Sequence, residues 1–288
     1  MNHVMKSERC SDNRNTRRGD GGSQSAARAI AVLNLIGRTP EDLGVREIAR
    51  RLALPSSVVQ RLINTLAEHG FLEQSPNDQK YRIGFSAFQV GQRYLARNGL
   101  QEASLPVLRE LAERDQVNAF LGVLRDRRVV YLAAIQSSGP ITINSVPGST
   151  AHLHSTAFGK ALLAETSDEE VARLLGEEPY VALTANTRTT LAALRPDLAE
   201  VRRRGYAVCD EENLVDVYSV GAVVRDAGGR AVAAISGAVP RHRLAPADME
   251  RLCRLVSAAA ERIARRLGAG AGGTRPDAAR PRQSETSC

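Results

Sequence analysis

Between Val45 and Ile83 the order of periodic segments and breaks leaves the chain few folds. Val45, Ile48, Ala49 and Leu52 recur at helical spacing, with Arg46, Glu47, Arg50 and Arg51 on the opposite side. Ala53-Leu54-Pro55 interrupts this pattern, because proline disfavours helical geometry in the residue before it and suits a helix entrance. A second periodic stretch, with Val59, Leu62, Ile63 and Leu66 as its apolar stripe, runs to about His69, and Gly70 stops it. Residues 71–74, the turn-rich Ser75-Pro76-Asn77-Asp78 and residues 80–83 then spell two short strands. Upstream, Ala29, Ile30, Leu33 and Ile36 mark a further helix that Gly37 closes. Three helices followed by a hairpin make a winged helix-turn-helix, expected over residues 23–84.

The last of these helices presents Ser56, Ser57, Gln60, Arg61 and Asn64 away from its apolar stripe, with no carboxylate before Glu68. Base edges in a major groove are read by donors and acceptors, and a carboxylate there would be repelled by phosphates, so the face suits double-stranded DNA. It is equally compatible with a surface helix whose Ser57 and Gln60 form a capping box. Lys80 and Arg82 on the returning strand are candidates for phosphate contact, or else only blunt a sheet edge. Arg28, on the first helix, joins the candidate DNA-binding residues.

The chain's formal charge of +7 and pI near 9.6 favour an anionic partner. Of its 39 basic residues only Lys6, Lys80 and Lys160 are lysines, a bias of genome composition that weakens any reading from arginine number alone. No stretch approaches the roughly 18–20 apolar residues of a membrane span. The basic start without an apolar block behind it is unlike a secretory leader, so the expected location is cytoplasmic. Cys10, Cys209, Cys253 and Cys288 show no metal or disulfide spacing. Residues 1–22 and 268–288 are polar and aperiodic and read as disordered tails.

Residues 85–100 read as a linker helix, with Phe85, Phe88, Gln92 and Leu95 near one face. Such a helix has little core of its own to pack on, and pairing with a second copy would also provide two DNA half-sites. From residue 101 to 267 helix and strand signals alternate. Leu105, Leu108, Leu111 and Ala112 mark a helix; residues 120–124 and 129–134 flank a turn; residues 141–146 read as a third strand. Residues 156–164 are helical, Ser167 to Glu170 opens another helix as a capping box, and a further one covers 196–204 before Gly205. Strands at 206–209, 220–225 and 230–239 follow, the last two joined by Asp226-Ala227-Gly228-Gly229, and a helix over 246–267 ends the domain. The expected class is α+β with two domains, the second an α/β sandwich on a mainly antiparallel sheet.

The segments SAARAIAVLNLI, GVREIARRLALPSSVVQRLINTLAEHGFLE and KYRIG resemble the winged-helix half of the IclR family of bacterial transcription factors. PGSTAHLHSTAFGKALLAE, RRRGYAVCDEEN and VVRDAGGRAVAAIS resemble the family's remaining blocks, in order, so that the resemblance covers about residues 25–267. It implies an operator-binding regulator, dimeric or tetrameric, whose GAF-like C-terminal domain binds a small carboxylate or aromatic catabolite. It also implies that Ala157, Phe158, Cys209, Val217, Ser219 and Ser236 line the effector cavity. A helix N-terminus near Thr156 would favour an anion, and the serines could bond it or be satisfied internally. Cys209 stands where an acid is frequent in the family, Asp216 where a glycine is usual, Val223 for a proline and Ala238 for a second serine. Ser56, Val58 and Gln60 likewise depart from the commoner recognition-helix residues.

Two other readings are open: a small-molecule-binding enzyme, or an interaction module with a winged-helix appendage. For the enzyme, Asp210-Glu211-Glu212 could supply carboxylates, but no nucleophile elbow or phosphate loop accompanies them, and an ion-pair role fits better. His152 and His154 would share one face of a strand and could bind metal only with a remote third ligand. Cys209 could act as a redox sensor or simply as a small pocket residue. No enzyme activity, cofactor or metal is expected.

Overall fold

The computed structural model describes residues 22–96, 99–139, 143 and 145–271. They fall into two compact units that meet in sequence at Gln92 and Arg93. The first holds α1 (Gln24–Arg38), α2 (Val45–Leu52), α3 (Ser56–Glu68), the hairpin β1 (Leu72–Gln74) and β2 (Tyr81–Ile83), and the start of α4 (Phe85–Ala96). Its core is Val32, Ile36, Leu43, Ile48, Ala49, Val59, Ile63, Leu72 and Tyr81. The Ser23 hydroxyl caps α1 by accepting from Ala26 N. Ala53 turns the chain between α2 and α3 in the left-handed region, at φ 51°, and the Leu54 amide donates to Ala49 O. Gly70, at φ 72°, ends α3, where the Phe71 amide reaches back to Leu66 O.

One expectation for α1 is corrected. Ile30 is 58% exposed and Val32 is fully buried beside Ile36. Residues 30 and 32 lie about 200° apart on a helix, so the buried stripe is rotated from the one first read. The final segments are as expected in kind but not in extent. Helix continues through residues 268–271, where a tail was expected. The tail residues 1–21 and 272–288 lie outside the described residues.

The second unit contains α5 (Leu100–Glu113), β3 (Asn118–Arg125), β4 (Arg128–Ile135), β5 (Thr150–Ala151), α6 (Ala157–Ala164), α7 (Asp168–Leu175) and α8 (Leu191–Arg204). It continues with β6 (Ala207–Asp210), β7 (Val217–Arg225), β8 (Ala231–Pro240), a 3-10 turn (Arg241–Arg243) and α9 (Pro246–Ala271). The six strands form one antiparallel sheet in the order β5-β4-β3-β8-β7-β6. Strand side chains alternate between faces, and this sheet buries both. Leu121 and Val123 of β3, Val220 and Val224 of β7, and Ala233 and Ile235 of β8 pack with Leu108, Leu111, Val256 and Ile263 of α5 and α9. Phe120, Ala234 and Ala238 face the other way, onto Phe158, Leu163, Leu174 and Leu198 of α6, α7 and α8.

Within this unit Ser167 caps α7 as expected, accepting from Glu170 N. The Asp226 carboxylate takes the Gly228 and Arg230 amides in the β7–β8 turn. The expected third strand at 141–146 falls partly on residues outside the described set. Its described members, Ile143, Ser145 and Val146, are not strand, and β4 pairs instead with Thr150–Ala151. Helix α8 starts at Leu191, five residues before the expected Pro196: Thr190 caps it, and Pro196 lies inside the helix, where its missing amide forgoes the bond back to Ala192 O. His152 and His154 sit in the turn between β5 and α6, not on a strand, because the strand stops at Ala151.

Candidate DNA-reading face and effector cavity

Helix α3 buries Val59 and Ile63 completely and turns Ser56, Ser57, Arg61 and Asn64 to solvent, with Gln60 half-exposed. The capping-box alternative is not realised, since Pro55 precedes the first turn and no side chain caps it. Gln60 Nε2 instead donates to Asn64 Oδ1 at 2.8 Å, one turn along the same face. Arg61 has no ion pair or side-chain hydrogen bond among the described residues, and the same holds for the half-buried Arg28. On the hairpin, Arg82 lies opposite Glu73 at 3.5 Å and Lys80 Nζ lies 3.4 Å from Asp78. Both are exposed pairs, of little worth to stability and easily exchanged for phosphate. The cations of the hairpin are thus partnered, and Arg61 on α3 is not.

In the second unit a cavity opens on the α6 side of the sheet. It is lined by Phe120, Tyr131, Ile143, Thr156, Ala157, Phe158, Cys209, Asn213, Leu214, Val217, Ser219, Ser236 and Ala238. All six residues implied by the family resemblance are among them. The strand register places them: Ser236 lies between Phe120 of β3 and Gly221 of β7, while Ser219 pairs with Cys209 on one side and Ala238 on the other. Gly221 is required by the site. A methyl group there would overlap the Ala157 carbonyl and the Phe158 amide, so only glycine lets the first turn of α6 rest directly on β7.

That first turn is uncapped by any side chain. Thr156, the capping residue, donates its hydroxyl to His152 O at 2.6 Å, and the first amide with a helical partner is Lys160 N, bonded to Thr156 O. The leading amides of α6 lack a helical acceptor, and Thr156, Ala157 and Phe158 line the cavity, so the positive end of the helix dipole lies at its wall. Ser236 is 4% exposed, and among the described residues neither its hydroxyl nor that of Ser219 has a hydrogen-bond partner. No charged side chain is among the described lining residues. The rings of Phe120, Tyr131 and Phe158 meet edge to face at 5.7 and 5.2 Å and form the apolar wall. Burial pushes the Tyr131 phenol up, against a hydrogen bond from Ser145.

Behind the lining lies a buried ionic network that sequence reading did not find. Lys160 is fully buried, and its Nζ donates to Asp197 Oδ2 and Glu212 Oε1, both at 2.6 Å. Burial pulls the ammonium down, but the Glu212 and Asp197 carboxylates outweigh it and hold Lys160 above its ordinary value. Burial pushes Glu212 up, opposed by Lys160. The Cys209 thiol is driven far up by complete burial, which keeps it protonated and unreactive and argues against redox sensing. A lone lysine inside the otherwise apolar run Ala157–Ala164 was the available signal. Glu212, 52 residues away, reads in sequence as an ion-pair carboxylate without its partner, and Asp197, 37 residues away, has no signal. Tyr131, Ile143, Asn213 and Leu214 were likewise missed, because strand pairing and loop return bring them in.

The carboxylate run 210–212 is divided among ion pairs and turn bonds: Asp210 takes Arg241, Glu211 takes the Asp216 amide and Glu212 takes Lys160. His152 and His154 meet edge to face with ring centroids 5.3 Å apart, but His154 Nε2 donates to Val181 O. No metal-holding group of three or more His, Cys, Asp or Glu exists among the described residues, and none of their helices is long and apolar enough to cross a membrane.

Residues 25–76 match the family model for the IclR helix-turn-helix domain, and residues 92–265 match that for the C-terminal part of the bacterial transcriptional regulator IclR. The HTH-type transcriptional regulator BhcR of Paracoccus denitrificans is 34% identical over 243 residues, 84% of this chain and 87% of that protein. The transcriptional repressor IclR of Escherichia coli is 29% identical over 245 residues, 84% of this chain and 89% of that protein. An IclR homologue from Microbacterium hydrocarbonoxydans, solved with 4-hydroxybenzoate, shares the fold: the TM-score is 0.75 at 24% identity, over 84% of this chain and 98% of that one.

Proposed function

Because the chain belongs to the IclR family of bacterial transcriptional regulators, we propose that it binds promoter operators as a homodimer or homotetramer and that a small carboxylate controls the binding. On this reading residues 23–84 bind DNA, 85–100 link, and 101–267 sense the effector, in the cytoplasm. The observation that carries it is the uncapped first turn of α6 at the wall shared with Ser236, a buried residue whose hydroxyl has no partner among the described residues. Amides and hydroxyls that lack a protein acceptor or donor suit an oxyanion, and the Phe120, Tyr131 and Phe158 rings beside them suit an apolar or aromatic body. The lining residues Ala157, Phe158, Cys209, Val217, Ser219 and Ser236 are the effector contacts, and the 4-hydroxybenzoate of the Microbacterium relative is the first acid to try.

On the DNA side, Ser56, Ser57, Gln60, Arg61 and Asn64 read the major groove, while Arg28, Lys80 and Arg82 meet phosphates. Thermal shift across aromatic and short-chain carboxylates tests the first half, since a ligand selective for the folded state raises Tm. Footprinting on promoters beside the gene tests the second. Gln60→Ala and Arg61→Ala should each lose roughly 1–3 kcal/mol of discrimination at one base position. An unchanged operator preference in both variants refutes the groove assignment.

A further inference from the structure

The free volume of the effector cavity is about 40 Å³, well below the roughly 300–1,000 Å³ of pockets that hold drug-sized ligands. Any carboxylate metabolite therefore needs part of the wall to move, and the hydrogen bonding shows which part is least held. The β6–β7 connection, residues 211–216, supplies Asn213 and Leu214 to the lining. Its first half is pinned: Thr184 and Thr187 donate to the Glu211 and Glu212 carbonyls at 2.6 and 2.7 Å, and the Glu212 side chain holds Lys160. Its middle is not. Asn213 has one 3.3 Å bond from Ser155, and Leu214 and Val215 are 42% and 74% exposed.

The second half is tied down at Asp216 alone. This residue and Glu211 both sit in the left-handed region, at φ 59° and 56°, so the segment turns at two points where a side-chain-bearing residue is disfavoured. At Asp216 the conformation is held from outside the cavity. Its carboxylate accepts the His242 amide at 3.0 Å and His242 Nδ1 at 2.5 Å, its carbonyl accepts the Arg241 amide, and its own amide donates to Glu211 Oε1.

We propose that Asp216 and His242 are positioning residues for effector recognition: they latch the 213–216 segment shut over the cavity, and releasing them admits the ligand. This rests on the effector-cavity reading, but it can be tested without a ligand. Cys209 lines the same cavity at 2% exposure, whereas Cys253 is buried on α9 against the opposite face of the sheet. The rate at which N-ethylmaleimide modifies Cys209 in the full chain, read by peptide mass spectrometry, therefore reports how often the wall opens. Asp216→Gly removes both carboxylate bonds and leaves a residue at ease at that φ. It should speed Cys209 modification several-fold, as expected for losing an exposed ion pair together with one amide bond. His242→Ala removes one bond and should give a smaller rise, and Cys253 should be unaffected in both.

An unchanged Cys209 rate in both variants overturns the latch, as does an equal acceleration at Cys253, which would mean general loosening. If the carboxylate panel gives no thermal shift while Asp216→Gly still exposes Cys209, the effector reading fails and the latch stands. If acids bind but Cys209 is indifferent to residue 216, the reverse holds.

Discussion

Lys160 shows what a single residue contributes. Its ammonium is enclosed with two carboxylates, and removing one partner of a buried ion pair leaves the others uncompensated. Lys160→Met should destabilise the second unit by about 3–5 kcal/mol in urea unfolding, and adding Glu212→Gln should return part of that loss. A normal unfolding midpoint for Lys160→Met would show the network to be dispensable. His154 makes a pH prediction. Burial first, then Arg128 and Lys160, push it below its ordinary value despite its bond to Val181 O, and His152 is lowered by burial as well. The unfolded chain then binds more protons than the folded one, so stability is present above a pH of about 6.5 and falls as acid drives the pH below it. His154→Gln should flatten the Tm against pH curve below about pH 6.5; an unaltered slope there contradicts the assignment. Sequence alone sets these histidines on one strand face as weak metal candidates, because nothing local says that they lie in a turn with Arg128 and Tyr180 against them.

At the scale of elements, legibility followed from how local the cause was. Helix α3 was readable because its stripe, its proline entrance and its glycine stop are all within its own sequence. The Asp226–Arg230 turn was readable for the same reason. The stretch 141–146 was not. Its apolar alternation suggests a strand, whereas Gln136 takes both the amide and the carbonyl of Ile143 with its side chain and turns that residue into the cavity. The cavity residues named in advance were found through family motifs, and the register explains why those motifs matter: Ser219, Ser236 and Gly221 are one patch across two strands. Gly221→Ala should therefore lift the first turn of α6 from β7 and abolish any carboxylate-induced Tm increase while the chain still folds. A retained shift would show that the close approach is not needed.

For the whole molecule, two properties of an assembled regulator can be checked. Phe85 and Phe88 are 61% and 56% exposed with their rings 5.8 Å apart, an apolar pair on α4 left open to solvent. The reading of α4 as a pairing helix predicts that Phe85→Ser with Phe88→Ser shifts sedimentation toward the monomer and weakens operator binding together. Intact assembly in that double variant would place the interface elsewhere. Operator affinity should also fall steeply and linearly in log–log form with salt, and Arg61→Ala should change it at one base rather than uniformly.

The neutral lining of the cavity carries a consequence for anyone reshaping this protein as a biosensor. On the proposed reading main-chain amides, which only proline would remove, meet the oxyanion, so libraries that vary Phe120, Val217 or Ala238 should alter which hydrocarbon skeletons are accepted and leave the preference for acids in place. Retuning it toward amines would take a new acidic side chain at the mouth.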